Sequence, residues 1–115
     1  MSEAIGTISH EATNVDVKKD LLNYLKSYPQ GRIEIATWNY IEDAESLDTG
    51  VILWDEEDNM VYDKTLLSMY IPSDTDWDIA YNKYYPALLK EAKKIKRYLS
   101  QHFENVVLVE KIIVI

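Results

Sequence analysis

The chain has 115 residues, 47% of them apolar, no cysteine, and a formal net charge of −8. That length makes one domain whose core needs no disulfide or metal staple, and the missing thiols exclude cysteine catalysis, thiolate metal sites and disulfides together. The negative charge speaks against nucleic acid as a direct partner, because neutralising phosphates needs a basic footprint.

Residues 1–13 read as a flexible lead-in or a short edge strand, and residues 14–115 as a single domain. The first residues lack a basic stretch followed by an apolar one, so no secretory signal is expected. Nor is there a run of about 20 apolar residues able to cross a membrane. A cytoplasmic setting is the expectation. Thr13 suits a helix N-cap, with Asp16 three residues on, and Val17, Leu21, Leu25 and Tyr28 recur at helical spacing until Pro29 and Gly31. This pattern predicts a helix over 14–28.

Alternation of Ile33 and Ile35 with Glu34 and Ala36 predicts a strand over 32–41, followed by an acidic loop at 42–50. Val51–Trp54 and Met60–Tyr62 are apolar runs flanking a hairpin tip, Asp55–Asn59, and Thr65–Ile71 is a further β segment. Pro72 breaks the chain, and Ser73–Asp78 carries the acids of a helix start. From Ile79 to Phe103 apolar residues recur every three or four. Pro86 interrupts them and is expected to kink the helix or begin a second one, leaving a strong amphipathic helix over 87–103. Val106–Ile115 is apolar on both faces apart from Glu110 and Lys111, which predicts a strand interior to the sheet; at an edge it would invite pairing with another subunit. Together these elements predict a small single-domain α+β fold. An antiparallel β-meander plus a C-terminal strand is packed by two main helices, in the order α-β-β-β-α-β.

Charge is laid down unevenly. Twelve acidic residues and one basic residue, Lys64, lie between Glu42 and Asp78; six basic residues and one acidic residue, Glu91, lie between Lys83 and Arg97. Asp55, Glu56, Glu57 and Asp58 offer the hard oxygens a divalent cation takes, but adjacent carboxylates diverge, and a solvated turn is the better reading. Asp74, Asp76 and Asp78 alternate as calcium loops begin. Ile79 then stands where such a loop needs glycine and Tyr85 where it needs glutamate, so helix capping accounts for the acids. No metal or cofactor is expected. His10 and His102 have no hydrolase pattern around them, and Gly6, Gly31 and Gly50 are too far apart for a phosphate loop.

Trp38, Trp54 and Trp77 are expected in the core or half-core. Tyr81, Tyr84 and Tyr85 crowd one helical turn and cannot all point inward, so at least one is expected at the surface beside Asp74, Asp76 and Asp78. Lys90, Lys93, Lys94 and Arg97 form a basic stripe whose first reading is the solvated side of a helix.

These features point to a non-enzymatic acidic interaction domain. Its expected partner-binding residues are Glu42, Asp43, Glu45, Asp55, Glu56, Glu57, Asp58, Asp74, Asp76, Asp78, Tyr81 and Tyr84. It would occupy a basic site on a partner protein, as a phage or viral inhibitor, a nucleic-acid mimic or an immunity-type protein does. Two alternatives stand beside this reading. One is a metal-dependent nuclease using clustered carboxylates such as Glu34 with Asp55. The other is a homo-oligomer, simplest as a homodimer, assembled through the C-terminal strand.

Overall fold

The computed structural model describes residues 7–39, 46–72 and 74–114. The elements are β1 (Ile8–His10), α1 (Asn14–Tyr24), β2 (Arg32–Asn39), β3 (Ser46–Trp54) and β4 (Met60–Tyr70), then α2 (Trp77–Ile79), a π-helical turn (Ala80–Tyr84), α3 (Tyr85–Ser100) and β5 (Val106–Val114). They build an α+β fold around one five-stranded sheet with strand order β1-β4-β3-β2-β5. Strands β2, β3 and β4 form the expected antiparallel meander, and β5 joins beside β2 in parallel after the helical crossover. The lead-in supplies a short edge strand, β1, antiparallel to β4.

Side-chain alternation along the strands makes two different faces. Ile33 and Ile35 of β2 stand with Val51 and Leu53 of β3, and this face meets Val17 and Leu21 of α1 and Leu88, Ala92, Ile95 and Leu99 of α3 in the main core. The opposite face gathers Ala36, Trp38 and Ile52, flanked by Trp54, Val109 and Ile113; every member of that cluster comes from the sheet. Gly50 belongs to this second face. A Cβ there would collide with the Lys64 carbonyl and come within 2.9 Å of the Trp38 ring, so the tryptophan lies across the one position without a side chain. On the helix side, the Thr37 and Thr49 hydroxyls bond to each other at 2.7 Å and satisfy a buried polar pair between strands.

Three expectations change. The segment at 46–50 is strand, not loop, because Leu47 and Thr49 continue the inward alternation of Val51 while Asp48 turns to the other face. The acidic composition hid that period. Met60–Tyr62 and Thr65–Tyr70 belong to one strand, β4, which ends one residue before Ile71 and is bent where an extra residue enters opposite Thr49 and Gly50. Strand β5 is an edge strand, not an interior one. Its partner on one side is β2, and Val107 and Val114 are exposed. Three residues, 109–111, stand opposite Ala36 alone, so Glu110 and Lys111 occupy an irregularity in the edge.

Candidate interaction surfaces

Of the expected partner-binding residues, Glu42, Asp43 and Glu45 lie outside the described residues. The remaining acids fall at two ends of the sheet. Asp55–Asp58 form the tip between β3 and β4; Asp74, Asp76 and Asp78 follow the far end of β4. Strand β4 spans eleven residues, which separates the ends by about 30 Å, several screening lengths at physiological salt.

At the tip the acids are engaged locally. Asp55 Oδ1 accepts the backbone N–H groups of Glu57 and Asn59 at 2.9 and 2.8 Å, and Oδ2 accepts the Asn59 side-chain amide at 3.2 Å. These bonds hold the Asp55 carboxyl below the usual carboxylate range, the Asn59 backbone N–H contributing most. Asp58 takes the left-handed conformation the turn requires, with φ 63°, and its carboxylate pairs with Arg32 at 3.2 Å. Arg32 also meets Glu34 at 3.2 Å and lies 5.9 Å from the Trp54 ring centre. Its guanidinium holds its proton more firmly than usual, first through Asp58. Glu34 in turn accepts Trp54 Nε1–H at 2.9 Å. Glu34 and Asp55 are thus each committed to protein partners. Glu56 and Glu57 remain exposed, beside a shallow groove of about 230 Å³ walled by Tyr28 and Pro29.

The other end is built differently. Asp76 caps α2, accepting the Asp78 N–H at 3.0 Å. The π-turn follows because Pro86 has no N–H to give the carbonyl of Asn82, and the ladder loosens ahead of it: Tyr85 N–H reaches back five residues to the Ala80 carbonyl. This extra residue rotates the buried stripe. Ala80 and Tyr84 face the core, and Trp77, Ile79 and Tyr81 are left 45%, 46% and 41% exposed. Trp77 packs on Tyr81 with ring centres 5.8 Å apart, and Tyr81 on Tyr85 at 6.0 Å, edge to face. The Tyr81 hydroxyl donates to the Ile112 carbonyl on β5 at 3.4 Å, a long bond that nonetheless fixes the ring against the edge strand.

Two expectations are corrected here. Trp77 is a surface residue, whereas Trp38 is core and Trp54 half-buried. Tyr84, expected at the binding face, is buried in the main core, and only Tyr81 of the three tyrosines is exposed. Asp74, Asp76 and Asp78 are exposed, and among the described residues none of the three is in an ion pair. Asp48 and Asp63, outside the expected binding set, share the helix-free face with Glu34.

The basic stripe lies on the outer side of α3, where Lys90, Lys93, Lys94 and Arg97 are exposed; among the described residues, only Lys94 of the four has an ion-pair partner, Glu91, at 3.3 Å. A second groove, of about 390 Å³, has Leu66, Leu67 and Ile95 in its floor and His10, Glu91 and Lys94 on its rim. Among the described residues no three histidine or acidic side chains converge as a metal-ligand set, and no helix is long and apolar enough to cross a membrane. Comparison with protein-family models, curated proteins and solved structures returns no match.

Proposed function

We propose that this chain is a non-enzymatic protein-interaction domain and that its 74–81 end docks on a basic surface of a partner protein. One observation carries the reading: Trp77 and Tyr81 pack on each other and stand 45% and 41% exposed, near three carboxylates that have no ion-pair partner among the described residues. Tryptophan and tyrosine are the side chains that anchor interfaces, because they bring large rigid area and a polar tip at small entropic cost. The carboxylates steer a cationic partner and then lie where phosphates would lie on a nucleic-acid-binding site. In this reading the domain acts as an occupant of such a site, an inhibitor or immunity-type protein of phage, viral or cellular origin working in the cytoplasm. The tip acids contribute net charge and long-range attraction, not contact.

Affinity capture from cells that make the protein tests this. Wild type is expected to retain a partner that elutes with rising salt and that a Trp77→Ala, Tyr81→Ala double variant fails to retain. Equal retention by both proteins contradicts the assignment of the site.

A further inference from the structure

The acidic end and the basic stripe lie on one continuous helical stretch, α2 through α3, and this gives the chain a complementary surface on its own copy. In chain order the outward side of this stretch runs from Asp76 and Ile79, past Pro86 and Ala87, to Lys94 and Arg97, and all six residues are exposed. Acids occupy one end, bases the other, and the middle has the smallest protruding side chains. We infer that two copies associate reversibly through antiparallel packing of this stretch about a two-fold axis near Pro86 and Ala87. That register sets Asp76 of each protomer near Arg97 of the other and Ile79 near the Lys94 stem. The contact is isologous and closes as a dimer. This inference rests on the proposed role of the 74–81 end and names a second copy as one basic surface that its carboxylates engage; a stronger basic partner therefore competes with the dimer for Asp76.

The edge of β5 offers no equivalent. In antiparallel pairing, opposed residues share a face, so a two-fold at the middle of this strand sets Glu110 against Glu110 or Lys111 against Lys111. The Tyr81 hydroxyl also already occupies the Ile112 carbonyl. On the helical stretch one mismatch remains, because Lys83 of one protomer approaches Lys90 of the other; Lys83 rests 5.7 Å from its own Tyr84 ring centre. The dimer is accordingly weak and salt-sensitive.

Sedimentation velocity on the full chain tests the inference with two charge reversals, Asp76→Lys with Asp78→Lys, and Lys94→Glu with Arg97→Glu. Wild type should dimerise at low salt, and raising salt about tenfold, which shortens the screening length about three-fold, should weaken the dimer on the order of tenfold. Each reversed protein alone should be monomeric. Mixed together they should form a heterodimer, because both contacts are again between opposite charges, and that recovery also shows that each variant folds. A wild type that stays monomeric at low salt, reversed proteins that dimerise like wild type, or a mixture that stays monomeric overturns the inference. A tryptophan-free arginine-rich peptide separates the two levels. If it shifts the tryptophan emission of a wild type that does not dimerise and leaves that of Trp77→Phe unchanged, the self-association fails alone; if wild type and Trp77→Phe respond alike, the proposed site fails as well.

Discussion

At the hairpin tip, Asp55 spends both carboxylate oxygens on its own turn and Asp58 holds Arg32, whereas about 30 Å away Asp74 and Asp78 have exposed carboxylates with no ion-pair partner among the described residues, near exposed Trp77 and Tyr81. The two ends have nearly the same acidic composition. They differ in what surrounds particular carboxylates: at the tip, Asp55 and Asp58 meet backbone donors and a guanidinium; at the other end, Asp74 and Asp78 are exposed near Trp77 and Tyr81. Charge density alone therefore does not mark a recognition site. A carboxylate whose hydrogen-bonding capacity is already satisfied is part of the fold, and one left unpaired beside exposed aromatic rings is available to a partner.

That contrast breaks most readily at the aromatic pair. Replacing Trp77 and Tyr81 with alanine should weaken partner binding about a hundredfold, in the range of interface hot spots, and lower the unfolding free energy by only about 1–2 kcal/mol, since both rings are half exposed and Tyr81 gives up one long hydrogen bond. Calorimetry and urea titration measure the two quantities side by side. A large loss of stability with unchanged affinity would assign the aromatics to the fold.

Neutralising the carboxylates sharpens the comparison through rates. Asp74→Asn, Asp76→Asn and Asp78→Asn together should slow association about tenfold at low salt, with asparagine preserving the cap at 76. Glu56→Gln with Glu57→Gln should change the association rate much less. Stopped-flow mixing at several salt concentrations reads the difference, and equal slowing by both sets would erase the distinction between the ends.

At the tip the expected effect is on folding. Asp55→Ala should lower the urea midpoint and leave binding untouched. Because the folded-state carboxyl sits below its ordinary value of 3.8, its contribution is present above that pH and is lost as pH falls through the depressed value. Amide protection factors at Glu57 and Asn59 should therefore fall only below the ordinary 3.8 in wild type and be low already at neutral pH in the variant.

The smallest effect belongs to Tyr85, whose hydroxyl is buried without a hydrogen-bond partner among the described residues and whose pKa is raised, first by burial and then by Glu110. Tyr85→Phe should be neutral or stabilising by about 1 kcal/mol. A raised folded-state value means stability is full below the ordinary 10.0 and falls as pH rises through the folded value, so the variant should also lose less stability in alkali.

Much of this fold is written locally in the sequence. Thr13 caps α1 through its hydroxyl to the Asp16 N–H at 3.1 Å, and the period of Leu88, Ala92, Ile95 and Leu99 gives α3 its buried side. The meander follows from alternation and from the Asp55–Asn59 turn chemistry. What did not show is set by longer-range geometry. Strand order decides whether β5 is interior or edge, and its apolar composition is the same for either place. The exposure of Trp77 and the burial of Tyr84 depend on the π-turn. One extra residue there shifts the buried phase from Tyr81 to Ala80, and a count at 3.6 residues per turn runs straight through it. Pro86 is the local cause, and its missing donor is the sequence signal for that shift.

Hydrogen exchange on the complex with the captured partner separates the two ends in one measurement. Residues 74–82 should become strongly protected, and residues 55–59 should exchange as they do in the free protein. Protection at the tip with an unchanged 74–82 segment would contradict docking through the 74–81 end.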